Sequence, residues 1–198
     1  LNTIEQYDAE SVIVGWRGRR PGRGGIVFGS TVDDVVKNAK CDVYVEKIGA
    51  RAGEPIESIL LPTAGGPHAE LAAATAQAIA RATDAVLQLV YVIPEDPTPA
   101  DRQRAENLIA EAMADLQPSR VETKIIESDD VVEGIVEESR NHDITIIGAT
   151  RTGLLKRILF GAIPEAVGQR VGTTVIMTKR YLDVGSRARE LVERGPGQ

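Results

Sequence analysis

Only one cysteine, Cys41, and two histidines, His68 and His142, occur in 198 residues. A single cysteine excludes an internal disulfide. Cys41 lies in the apolar run CDVYV and reads as a buried, inert thiol. No metal-ligand spacing links the two histidines to each other or to Cys41, so the sequence predicts no metal site. No apolar run approaches the roughly 18 residues of a membrane span, which predicts no direct membrane insertion. The opening LNTIEQYDAE has neither an initiator methionine nor a signal-peptide pattern. It predicts a cytoplasmic chain, processed or cut from something longer, the cytoplasmic part of a membrane protein included. Cationic excess is missing too: 29 acidic residues face 23 basic ones, a formal net charge of -6. That balance speaks against nucleic acid as a partner. There is no G-x-S-x-G nucleophile elbow. Asp129-Asp130 reads as helix capping and not as an acid/base pair. The expectation is a protein that is not an enzyme.

What is present is a regular alternation. An apolar fraction of 42% and a charged fraction of 26% suit a soluble globular chain. The length allows one good core, or one domain plus part of another. From residue 57 onward, ESILLPT, AVLQLVYVI, VETKIIE, DITIIG and TTVIMTK read as five strands. Residues 67–83, 100–116, 130–141 and 160–171 read as the helices between them. Pro67 suits a first helical turn, and Asp130 with Glu133 forms a capping-box pattern. Such alternation implies right-handed crossovers and an α/β fold, a five-stranded parallel sheet with helices on both faces. ITII and TVIM, the most apolar runs, suit positions buried on both sides.

The first fifty residues repeat the end of this pattern. Residues 11–47, SVIVGWRGRRPGRGGIVFGSTVDDVVKNAKCDVYVEK, match residues 145–179, TIIGATRTGLLKRILFGAIPEAVGQRVGTTVIMTK. Gly15 pairs with Gly148 (148 − 15 = 133), Phe28 with Phe160 and Val43 with Val175 (both 132). The repeat predicts the C-terminal half of a first domain over 1–48, a linker over 49–55, a complete domain over 56–180 and a tail over 181–198. Half a parallel sheet exposes an apolar edge. That edge needs cover from the complete domain, from another copy of the chain or from a preceding segment.

Ligands of open parallel sheets sit beyond the carboxyl ends of the strands. Two loops should converge there: Thr63-Ala64-Gly65-Gly66, and the stretch that begins at Gly148. Gly161 stands by a helix start, where free N–H groups and the dipole favour an anion. Arg151, Lys156 and Arg157 add positive charge. On residues alone two readings stay open, a phosphate cradle or turn glycines in a solvated basic loop. His68 lies close to this place, with a capping or surface role as its plainer reading. Trp16 and Arg17 offer a stacking contact, or a core tryptophan.

Strand, G-x-x-G, nine residues, G-S/T, helix and strand together resemble the universal stress protein family. The resemblance covers residues 56–179 as a whole domain and 11–46 as a half. It implies an adenine nucleotide alpha hydrolase-like fold and ATP or AMP as ligand. Phosphates and ribose would lie on the glycine loop, an Asp after the first strand would hold the nucleoside, and adenine would lie near the end of the second strand, here Val92. Gly148 and Gly161 match the family's glycines. Arg151 stands at the second glycine position with Gly153 two residues later, Ala162 at the Ser/Thr position and Ala64, between Thr63 and Gly65, at the Asp position. Each lost polar contact removes about 1–3 kcal/mol of binding, while Arg151 offers a guanidinium to phosphate in exchange. The first repeat keeps Gly15, Gly18, Gly29 and Ser30, with ten residues in place of nine. PTAGGPHAE resembles the cytoplasmic regions of amino-acid transporters. The resemblance therefore implies a transporter membrane domain as one partner, and a homodimer or paired domain as another. The combined expectation is a non-catalytic regulatory module that senses adenine nucleotides weakly. The alternatives are a competent ATP or AMP binder, and an assembly domain whose fifth strand pairs with a second copy.

Overall fold

The computed structural model describes residues 1–17, 28–114, 116, 120–150 and 160–182. The elements in chain order are α1 (Asn2–Gln6), β1 (Ser11–Gly15), α2 (Ser30–Asn38), β2 (Asp42–Lys47), β3 (Ser58–Pro62), α3 (Pro67–Thr83), β4 (Val86–Ile93), α4 (Pro99–Ala114), β5 (Val121–Glu127), α5 (Val131–Glu138), β6 (Ile144–Gly148), α6 (Ala162–Arg170) and β7 (Thr174–Lys179). The strands form one sheet in the order β1-β2-β7-β6-β3-β4-β5.

The expectation of five parallel strands is corrected to seven, with one antiparallel pairing. β3, β4, β5, β6 and β7 run parallel to one another as the alternation predicts. β1 and β2 then join them across an antiparallel seam from Val43↔Lys179 to Lys47↔Val175. The cause is an unsatisfied edge. β7 carries Val175, Met177 and Thr178 fully buried, and leaving its outer ladder unpaired would expose backbone beside that apolar surface. β2 fills the edge, so the expectation that the fifth strand pairs with a second copy is overturned: that edge is already taken within the chain. Two lysines staple the seam. Lys179 Nζ donates to the Val36 carbonyl at 2.6 Å and Lys47 Nζ donates to the Val171 carbonyl. Burial pulls both ammonium groups below the usual lysine range.

Side chains alternate across the sheet, so each strand feeds two cores. Ile59, Leu61, Leu87, Leu89, Ile144 and Ile146 pack with the alanine face of α3, Ala72, Ala73 and Ala76. On the other face Leu60, Val90, Val43, Val45, Val175 and Met177 pack with α2, α5 and α6. Three aromatic rings close this second core. Trp16 meets Phe28 edge-on with centroids 4.9 Å apart, and Phe28 meets Phe160 edge-on at 5.7 Å. Trp16 is thus a core residue, the blander of its two readings.

The repeat read in the sequence recurs in backbone detail. Gly29 precedes α2 at φ 119°, ψ 151°, and Gly161 precedes α6 at φ 112°, ψ 157°. The Phe28 N–H donates to Asp33 Oδ1 at 2.9 Å, and the Phe160 N–H donates to Glu165 Oε1 at 3.0 Å. The segment 49–55 is tied to the sheet at its first residue, while residues 50–55 are exposed. The Gly49 N–H donates to Thr174 Oγ1 at 3.1 Å, and a Cβ on Gly49 would stand 2.3 Å from the Thr173 carbonyl carbon.

Opposite the carboxyl ends of the parallel strands lies a buried polar group. His142 Nε2 is 3.2 Å from Gln88 Oε1 and 3.7 Å from Glu138 Oε1, and Glu138 also pairs with Lys124 at 2.6 Å. Burial holds the His142 imidazole below its usual range, against the opposing pull of Glu138 and Asp143. Burial also raises the neighbouring Asp143 carboxyl. Hydrogen bonds from the Glu57 and Ser58 N–H groups and the Ser58 hydroxyl, with the Arg51 charge, outweigh this and leave it below the ordinary value. For both groups the unfolded chain binds protons more readily. Stability is therefore expected to fall as pH drops below about 6.5, where unfolded histidine titrates, and to fall again below about 4 through Asp143. Urea midpoints measured from pH 8 to pH 3 check this, and His142→Gln should flatten the first step.

Candidate functional site

A cleft of about 640 Å³ opens at the carboxyl ends of β3, β4 and β6, the place this topology reserves for ligands. Its size suits a nucleotide-sized molecule. The floor turns on two glycines in the left-handed region, Gly65 at φ 76° and Gly66 at φ 86°. Thr63 Oγ1 accepts the Gly65 N–H at 3.2 Å and fixes the turn. Gly66 then caps α3, with Pro67 in its first turn. That turn lies directly over the end of β6: a Cβ on Gly148 would stand 2.5 Å from the His68 carbonyl oxygen. The glycine at 148 is thus demanded by helix packing before any ligand is considered.

The walls are mostly apolar: Val92, Leu108, Val131, Ile135, Ile147 and Ile163. Charge is scarce. Among the described lining residues Glu111 is the acidic one, and no lysine or arginine is present. Thr150 Oγ1 is buried there without a hydrogen-bond partner among the described residues. His68 lines the rim, and its Nδ1 accepts the Arg180 N–H at 3.1 Å. Behind the cleft, the first turn of α6 carries its own carboxylate, Glu165, which holds the Phe160 N–H. A carboxylate in that position already complements the helix dipole that would attract an outside anion. No group of three His, Cys, Asp or Glu among the described residues can hold a metal ion.

Of the residues singled out in the sequence, Thr63, Ala64, Gly65, Val92 and Gly148 come together as lining. Gly161 stands one layer back, where an added Cβ would lie 2.0 Å from Thr150 Oγ1. Ala162 is exposed and outside the lining. Gly15, Gly29 and Ser30 are not part of this cleft. β1 runs antiparallel to β6 through the β2–β7 seam, so the two glycine loops leave opposite ends of the sheet. Arg151, Gly153 and Gly18 lie outside the described residues. Leu108 and Glu111 of α4, Val131 and Ile135 of α5 and Thr150 went unread. Their i,i+3 and i,i+4 spacing marks a shared helix face, but nothing in it separates cleft from core.

The sequence model of the Universal stress protein family matches residues 1–47 and 55–179. A universal stress protein of Mycobacterium tuberculosis is 27% identical over 88% of this chain. The chain spans 63% of that relative's length. A Na(+)/H(+) antiporter of Synechocystis is 22% identical over 89% of this chain, which covers 25% of the antiporter. The crystal structure of a universal stress protein from Archaeoglobus fulgidus overlays with a TM-score of 0.64 at 22% identity, covering 92% of this chain and 65% of that one. The family match takes in both glycine-loop units and all seven strands of the sheet, and the chain belongs to the universal stress protein family.

Proposed function

We propose that the chain is a non-catalytic regulatory module whose cleft receives an adenine nucleotide at low affinity. The observation that carries this reading is the lining: nucleotide-sized, apolar and without a cation among its described residues, with Ala64 where the nucleotide-binding pattern places an aspartate. Apolar walls accept a purine, but a ribose hydroxyl would find no carboxylate at position 64. Residues 1–48 are read as the closing half of a first module and 49–55 as its connection. The matched geometry at Gly29 and Gly161, and the paired Phe28–Asp33 and Phe160–Glu165 hydrogen bonds, support that. A transport protein is the partner class in this reading, on the likeness to a protein named as a Na(+)/H(+) antiporter. The signal would pass through the β2–β7 seam, which joins the two halves.

A thermal-shift titration with ATP, ADP, AMP and cyclic AMP tests the reading, run in parallel on Ala64→Asp. The wild-type chain should be stabilised only at millimolar nucleotide. The restored carboxylate adds a charged hydrogen bond of about 1.5–3 kcal/mol, so Ala64→Asp should bind roughly 10- to 100-fold more tightly. Saturation of the wild type at micromolar nucleotide would instead favour a competent ATP or AMP binder. Absence of any shift in both proteins would leave a purely structural assembly domain.

A further inference from the structure

The carboxylates around the cleft are not equivalent. Glu165 holds the Phe160 N–H. Glu70 lines a recess of about 40 Å³ that opens off the cleft between α3 and α4, and it pairs with Arg180 at 3.3 Å. Glu111 of α4 lines both the cleft and the recess. Among the described residues it has neither an ion pair nor a side-chain hydrogen bond. Packing sets its place. A Cβ on Gly65 would stand 3.2 Å from Leu108 Cδ2, so α4 lies against the turn that carries Ala64. Glu111 follows Leu108 by one helical step of i,i+3 and shares its face. α4 thus brings an unpaired carboxylate to the cleft in which position 64 supplies none.

From this arrangement we infer that Glu111 sets the ligand class of the cleft: an uncharged purine nucleoside in preference to its phosphates. The inference rests on the proposed reading of the cleft as a purine site. The apolar walls take the base. An ionised carboxylate accepts hydrogen bonds through both of its oxygens, which suits the adjacent 2′- and 3′-hydroxyls of a ribose. The same charge repels a phosphate, and low-dielectric walls strengthen the repulsion. No lysine or arginine among the described lining residues offsets it. The N-terminus of α6, which would otherwise attract an anion, already carries Glu165 in its first turn. Low affinity for a nucleotide then reflects rejection of its charge as well as the missing carboxylate at position 64.

Ligand-detected NMR titrations of the full chain with adenosine, 2′-deoxyadenosine and ATP test this. The wild type should bind adenosine about tenfold more tightly than either of the others. Glu111 is exposed on its helix, and Glu111→Gln keeps the length of the side chain, so folding is not at stake. That variant should weaken adenosine about tenfold, to the level of 2′-deoxyadenosine. It should tighten ATP about 2- to 10-fold, a gain that shrinks as salt is added. Glu111→Asp keeps the charge and should leave ATP weak. ATP bound as tightly as adenosine by the wild type, unchanged selectivity in Glu111→Gln, or ATP tightened equally in Glu111→Asp would each overturn the inference, while the purine binding seen would uphold the reading of the cleft. No binding of any of the three ligands, by the wild type or by Ala64→Asp, would overturn both.

Discussion

Replacing Phe160 with alanine should lower stability by about 3–5 kcal/mol, the range for removing a buried aromatic ring from a close-packed core. Phe160 has no exposed surface. Its ring meets Phe28 edge-on at 5.7 Å, and through Phe28 it reaches Trp16. These rings belong to opposite halves of the sheet, so the cavity would open where the first and second repeats meet. For a folded unit of this size the loss corresponds to a fall of about 6–20 °C in melting temperature. Phe28→Ala should cost less, because Phe28 is slightly exposed and its site can relax. A double-mutant cycle should find a coupling of about 0.5–1.5 kcal/mol between the two rings. Additive losses would show that each ring packs within its own half and that the aromatic chain does not join them.

That chain of rings was half legible in the sequence. Phe28 and Phe160 fall at matching positions of the repeat, so a common role could be read. Their contact could not, because it depends on how the repeats sit against each other. The same limit hid the antiparallel seam. Strands from residue 57 onward announce themselves through local apolar runs between helices. Pairing of β2 with β7 joins residues more than a hundred positions apart and leaves no local mark. Thr63, Ala64, Gly65, Val92 and Gly148 were found because strand ends in a parallel sheet face one side. The walls contributed by α4 and α5 were missed, since an apolar helix face looks alike over a core and over a cleft. Nothing in the sequence sets Asp33 and Glu165 apart from other first-turn acids. Only the structure shows each reaching back to the N–H of the phenylalanine before its helix.

Gly148→Ala and Gly15→Ala should part company, although both glycines occupy the same place in the repeat. The added methyl at 148 would stand 2.5 Å from the His68 carbonyl oxygen, 2.7 Å from the His68 carbonyl carbon and 2.8 Å from the Ala69 nitrogen. All three are backbone atoms of the first turn of α3, so no side-chain rotation relieves the contact. Either α3 shifts outward or β6 sinks, and overpacking of this kind costs about 1–3 kcal/mol. The turn that moves carries His68 and follows Gly65 and Gly66, so the cleft would deform along with the core. Whatever nucleotide affinity the wild type has should therefore fall in Gly148→Ala, even at temperatures where the protein stays folded. At Gly15 nothing lies within 4 Å and φ is not positive. The change there should stay within about 0.5 kcal/mol, as for an ordinary surface substitution. Urea unfolding of the two variants side by side decides the matter. Equal losses would mean that the glycine serves a conformational need common to both loops. A loss confined to Gly148 would mean that it serves the close approach of a helix, which β1 still lacks.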